Sequence, residues 1–318
     1  MKNLSARLFV VVFLLAAQRA VPVTVTVTAV ALPENIPDFS QDISRPAVQS
    51  VQSGSWSNPS TWGGAVPTAS HVVRIVQGRT VTIDDTSAVA YTVVVDGKLA
   101  FAPAAYTRLK VTNLEVMAGE MGMGTPGVPG VLEVGTTAAP IAANVTAEIV
   151  IADSPLGGSV PDPDQFGTGI NVFGKVSMHG SMKTPTFLRL ATEPRAGNNT
   201  LTLSAPVLGW RIGDRLVLPD TRHIKENEVT GGGWVNAVNQ WEERNVQAIS
   251  ADGRTVTLSS ALQYDHLGAR DLNNALDFLP HVGNLTRNVV VRSENPSGTR
   301  GHMLGIHMAD VDIRYALF

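Results

Sequence analysis

The sequence predicts an all-β chain, a right-handed parallel β-helix-like solenoid with irregular lateral loops, and leaves a β-sandwich as the alternative. Three observations carry this prediction. From Val72 onward, apolar stretches of four to six residues alternate with Gly, Asn or Asp corners, and helical periodicity is hard to find. Some stretches, Val93–Val95 and Val289–Val291 among them, are apolar at successive positions, which suits strands covered on both faces. The spacing between stretches is ragged, as expected of a coil that sheds loops of any length from one face.

The chain opens with Lys2 and Arg7 ahead of the apolar run Leu8–Ala17, the layout of a secretory signal peptide. Segment 1–31 is read as that signal, with Ala29 and Ala31 before the cleavage point. The run is about half the length a membrane span needs, so no span is expected after cleavage; a signal anchor continuing through 24–31 is the alternative. Residues 32–50, with Pro33, Pro37 and Pro46 among polar residues, read as a linker. Trp56 and Trp62 flank the first turn and are expected to lock the N-terminal cap. Strand runs follow at 72–76, 79–84, 90–95, 98–101, 107–111, 114–117 and 131–134, then at 146–152, 170–180, 186–191, 200–203, 215–218, 254–258 and 288–293. The spans 155–169 and 235–250 are too irregular for rungs and are read as lateral loops, where function usually sits. After Arg300, Val311, Ile313 and Tyr315 alternate with Asp312, Arg314 and Ala316 at the period of a half-buried strand, so the chain is expected to be the front of a longer protein.

With 318 residues and 44% hydrophobic content the chain can build a large core. Lys plus Arg number 24 against 27 for Asp plus Glu, a net charge of −3, which gives no footprint for nucleic acid. Cysteine is absent, so an exported chain would be held by its core and not by disulfides, a pattern that suits a bacterial envelope or secreted protein. The sequons at Asn144, Asn198 and Asn284 carry meaning only in a eukaryote. No nucleophile elbow, phosphate loop or dinucleotide fingerprint is present, which argues against phosphoryl transfer and redox chemistry.

Ser55–Asp84, Asp96–Phe101 and Leu114–Gly124 together resemble the opening strands of the eight-glycine (G-eight) domain. The likeness continues through Gly174–Gly180, Trp210–Thr221, Leu258–His266 and Leu285–Glu294 to the GHMLGIH stretch. Such domains occur in the cell-migration-inducing hyaluronan-binding, transmembrane protein two and fibrocystin families, and this chain resembles a bacterial-type member. The resemblance places the domain at 51–295 and the first parallel β-helix repeats at 296–318, and it implies binding of hyaluronan-like glycans. The stretch between Asp220 and Glu242 departs from the compact form found there, which leaves any site carried over into this region open.

Polar residues are densest at Asp220–Glu228 and Asn239–Arg244. Asp220, His223, Glu226 and Glu242 are the candidate acid–base groups for glycoside cleavage, since paired carboxylates on either side of a sugar bond perform that chemistry; a solvated loop is the plainer reading. Asp214 joins them as a catalytic candidate, against an ordinary turn-capping role. Trp234 and Trp241 are the candidate stacking surfaces for sugar rings, with Arg211, Arg222, Lys225 and Arg244 as a positive lining. His302 and His307 are weak candidate metal ligands: the spacing matches no metal motif, no cofactor is predicted, and a divalent ion such as calcium is left open.

The expected function is therefore an exported module, secreted or on the cell surface, that binds an acidic extracellular polysaccharide. One alternative is the front part of a polysaccharide depolymerase, hydrolase or lyase, with its groove beyond Phe318. The other is a structural adhesin without a ligand.

Overall fold

The computed structural model describes residues 37, 39, 42–119, 127–155, 160–162, 166–222, 239–306 and 309–318. The signal segment 1–31 lies outside them. The described chain is all-β apart from single turns of 3-10 helix, one of which spans Pro59–Trp62.

Its strands run in a repeating order. The first coil holds β1 (Ala47–Gln49) and β2 (Gly54–Ser55); the next holds β3 (Val72–Ile75), β4 (Thr80–Ile83) and β5 (Ala88–Val89). Then come β6 (Thr92–Val95), β7 (Lys98–Phe101) and β8 (Thr107–Val111), followed by β9 (Asn113–Val116), β10 (Val131–Val134) and β11 (Ala147–Ile151). After β12 (Gly169–Val172) and β13 (Lys175–His179) the chain departs into a second unit. There it forms β14 (Phe187–Arg189), β15 (Thr200–Thr202), β16 (Arg215–Leu218), β17 (Glu242–Ile249) and β18 (Thr255–Leu258), then β19 (Ala269–Arg270), β20 (Leu276–Phe278) and β21 (His281–Asn284). It returns as β22 (Val289–Ser293), β23 (His302–Gly305), β24 (Asp310–Arg314) and β25 (Ala316–Leu317).

Three parallel sheets result, ordered β1-β3-β6-β9-β12-β23, β2-β4-β7-β10-β13-β24 and β5-β8-β11-β22-β25. The chain visits them cyclically, which is a β-helix-like coil. Within it, like residues stack by register: Val73, Val93, Leu114, Ile170 and Met303 form one inward column, and Ile75, Val95, Val116 and Val172 the next. Burying each such side chain contributes about 1.5–3 kcal/mol.

The doubly apolar runs have the expected cause in the first sheet. Thr92–Val95, Asn113–Val116 and Gly169–Val172 are buried at every position. The segment before β1 rests on the coil beside this sheet, where the Arg45 guanidinium lies 3.2 Å from the centre of the Tyr91 ring, just ahead of β6. At the bottom of the coil Trp56 and Trp62 meet edge to face at 4.9 Å, and Trp62 Nε1 donates to the Trp56 carbonyl at 2.7 Å. They plug the first turn as expected.

One corner explains the glycine punctuation. Gly97, Gly130 and Gly174 immediately precede β7, β10 and β13 and stack over one another between the first and second sheets. A Cβ on Gly130 would lie 1.9 Å from the Val95 carbonyl oxygen, and one on Gly174 2.4 Å from that of Met117. Backbone alone fits there.

Segment 187–284 corrects the reading of the later strands as rungs. Its six-stranded sheet, β14-β21-β16-β17-β18-β15, is antiparallel. Its edges meet, since Ala191 N–H donates to the Thr202 carbonyl and Ser204 N–H to the Arg189 carbonyl, so the unit is barrel-like around its own core of Leu188, Leu201, Leu216, Val246, Val256 and Val282. The expected lateral loop at 235–250 is, from Glu242, the eight-residue strand β17, whose alternation is masked by charged residues facing inward. The parallel coil begins at β1 and continues without a break in sheet membership past residue 296. Val311 and Ile313 pair with the core residues Val176 and Met178 as the alternation predicts, but Tyr315 is a corner, with φ of 54°.

Candidate functional site

The polar cluster picked out by sequence lies at one end of the barrel, where β16 ends and β17 begins. Asp220 accepts from Arg222 through the backbone N–H, Nε and Nη2 at 3.0, 3.2 and 2.9 Å, and from the Gln240 N–H at 2.9 Å. The Arg222 guanidinium, opposed by partial burial, holds its pKa down at about 2. Glu242 points into the barrel and is only 4% exposed. Its carboxylate accepts from the N–H groups of Gln263 at 2.9 Å and Tyr264 at 3.1 Å, from His266 Nε2 at 2.9 Å, and from Arg244 Nη2. Burial pushes the Glu242 pKa up, and the Gln263, His266 and Tyr264 donors together outweigh it, so the net shift is downward.

His266 is itself buried, with Nδ1 2.9 Å from the Pro219 carbonyl oxygen. Arg244 also donates from Nε to the Ala261 carbonyl at 3.1 Å and from Nη1 to the Glu243 carbonyl at 2.8 Å. A general acid needs a raised pKa and reach to the substrate. Asp220 and Glu242 are shifted the other way and saturated by protein donors, so their visible work is to fasten the 219–222 and 261–266 segments to β17.

Asp214 sits elsewhere, at the junction of barrel and coil. It is 4% exposed and takes Lys183 Nζ at 2.8 and 2.7 Å, Asn284 Nδ2 at 2.8 Å and the Arg211 N–H at 2.8 Å. The turn-capping bond to Arg211 is present, together with a buried ion pair that sequence alone did not suggest. Asn284, one of the sequons, is buried in this node and is closed to modification. Arg211 is exposed on the turn, away from the Asp220 cluster. Trp210 is buried, with Nε1 donating to the Pro185 carbonyl at 2.9 Å.

Trp241 remains half exposed, at 51%. His223, Lys225, Glu226, Trp234 and His307 lie outside the described residues. His302, half-buried, has Nε2 3.2 Å from Asn171 Oδ1. Among the described residues no three His, Asp or Glu side chains gather as a metal site. A cavity of about 470 Å³ lies between β22 and β23, floored by Ile151, Val291 and Met303 and rimmed by Arg292, Arg300 and Phe318.

Sequence reasoning missed a second group, on the outer face of the barrel. Phe187 is 52% exposed and stacks on His281 with ring centres 4.5 Å apart and planes 5° from parallel. Phe278 is exposed, and the Arg189 guanidinium lies 5.6 Å from its ring centre. The available signal was the alternation at 187–190, which puts Phe187 and Arg189 outward while Leu188 and Leu190 face the core.

Residues 61–191 match the G8 domain. This is a G8-domain protein. Its G8 segment runs from the 3-10 turn of the N-terminal plug through the coil strands to the first barrel strand. The chain is also related to fibrocystin. It is 27% identical to human Fibrocystin-L over 248 residues, 76% of this chain and 5% of that protein, and equally so to mouse Fibrocystin-L. Dog Fibrocystin is 24% identical over 258 residues, 75% of this chain and 6% of the relative. The G8-domain chain thus spans about a twentieth of the length of the relatives it matches. Among its described residues no helix is long and apolar enough to cross a membrane.

Proposed function

We propose that this G8-domain chain is an exported glycan-binding module for an acidic polysaccharide of the hyaluronan class. The observation that carries the reading is Trp241, which holds about half its surface in solvent although both sequence neighbours are anchored, Gln240 to Asp220 and Glu242 inside the barrel. An indole held out by fixed backbone is a ready stacking surface for the apolar face of a pyranose ring. The saturated carboxylates favour binding over cleavage in the described part of the chain. Export rests on the signal-like segment 1–31, and a right-handed coil on the strong preference of parallel crossovers for that hand.

Affinity electrophoresis of the purified chain through gels holding hyaluronan, another uronic-acid polymer or a neutral glucan tests the reading. The expected result is retardation by the acidic polymers that weakens with salt. Equal mobility in all gels at low salt overturns it.

A further inference from the structure

The strand registers align the exposed aromatic groups in a way that neither the sequence nor the separate contacts reveal. Leu218 pairs with Glu242, so the next position sets Pro219 beside Trp241. Leu216 pairs with Asn284 and Val217 with Gly283, so three positions on from Leu216, Pro219 also falls beside His281. His281 in turn pairs with Arg189. The bond from the Gln240 N–H to Asp220 Oδ2 shows the same register continuing past β16.

Trp241, Pro219, His281 and Arg189 therefore form one row across β17, β16, β21 and β14. All lie on the face opposite the buried residues Leu218, Glu242, Val282 and Leu188. The row beside it is Glu243, Val217, Gly283 and Phe187. Phe187 leans from there onto His281. Gly283 keeps the middle of that row low, since a Cβ there would stand 3.3 Å from Val217 Cγ1 and 3.9 Å from Phe187 Cδ2.

We propose that this face seats an extended acidic sugar chain laid across the strands. Its ring faces rest on Trp241, Pro219 and the Phe187–His281 pair, and a carboxylate points to Arg189. Three strand spacings make the row about 14 Å long, more than one pyranose ring and suited to a short oligosaccharide. The charge fits at the Arg189 end, where the guanidinium has no carboxylate partner among the described residues. Glu243, the acidic group of the second row, is engaged by Arg215 at 3.4 Å. The closed barrel fixes all four strands, so little order has to be gained on binding.

This proposal rests on the glycan-binding reading and gives it a location and a length. The test is calorimetric titration of the full chain with hyaluronan oligosaccharides of increasing length, repeated with Phe187→Ala, Trp241→Ala and Arg189→Gln. These side chains are exposed, and an unchanged thermal melt shows that each variant folds. Affinity should rise with oligosaccharide length and then level off once the row is filled. Each aromatic variant should bind about tenfold more weakly, and Arg189→Gln should lose most of the preference for acidic over neutral oligosaccharides. If the unaltered chain binds and the Phe187 and Arg189 variants bind equally well, this face is not the seat, while the module reading stands. If the unaltered chain binds no acidic sugar, both fall together.

Discussion

Ser181 donates its backbone N–H to Asn288 Oδ1 at 2.7 Å, linking the residue where the chain leaves the coil to the one where it returns. The same Asn288 amide gives Nδ2 to the carbonyls of Ile141, Ala142 and Val145 at 3.2, 2.9 and 2.9 Å. A side chain 8% exposed thus closes both the barrel's doorway and the turn ahead of β11. Replacing Asn288 with Ala strands buried carbonyls and an amide, at a cost of about 3 kcal/mol. Denaturant unfolding should show the loss, and a change within 0.5 kcal/mol of zero would contradict this account.

The Glu242 cluster predicts a second outcome. Glu242→Ala removes the acceptor shared by His266, Arg244, Gln263 and Tyr264, and should destabilise by about 3–5 kcal/mol through the charges left behind. Hydrogen exchange should speed up first at 242–246 and 261–266. A variant as stable as the parent would show that the carboxylate is not held for structure.

Stability should fall in mild acid. Burial, with Arg189 adding repulsion, lowers the His281 pKa, and burial, opposed by Asp162, lowers that of His302. Folding therefore favours their neutral forms, the unfolded chain takes up protons first, and stability declines as pH drops below about 6.5. Asp220 behaves differently. Its contribution is complete above the unfolded value of 3.8 and is lost only as pH falls through about 2. Histidine titration by NMR and melting between pH 8 and 5 check the first claim; a melt independent of pH in that window would refute it.

Two glycines should both lose stability on replacement by alanine, to very different degrees. Gly130→Ala drives a methyl into the Val95 carbonyl and should prevent normal folding, whereas Gly197, with φ of 87° and open space around it, should lose only about 1–2 kcal/mol. Expression and melting of the pair decide it. Equal losses would mean that backbone conformation and not the corner contact governs both.

A core column gives the scale for comparison. Leu114→Ala, fully buried in the first inward column, should cost about 2–5 kcal/mol, read from the urea midpoint.

Much of the coil was legible because its physics is local. Val93 and Val94 face opposite sides yet are both buried, and an unbroken apolar run is the sequence trace of that situation. Arg292 breaks the same pattern in β22 because the third sheet's outer face is solvated, with Glu148 taking Arg108 and Arg292 on either side. The barrel was not legible as a barrel. Leu201, Leu216 and Val256 alternate as a rung would, and alternation does not record whether the neighbouring strand runs parallel or antiparallel. The candidate site failed in a related way. Glu242 looks like a solvated loop residue until its four donors are seen, and Trp241, Phe187 and His281 become neighbours only through pairings across separations of 24 to 96 residues.

The column of Gly97, Gly130 and Gly174 makes the coil's corners unequal. With carbonyls pressed against each Cα, no side chain fits on that line, although fourteen residues separate β9 from β10 at the same corner. The doorway at Ser181 and Asn288 admits a whole barrel. A designer seeking to exchange the barrel for another cargo would cut at that doorway and leave the three glycines untouched, since they serve as the spine that keeps the rungs in step while the cargo changes.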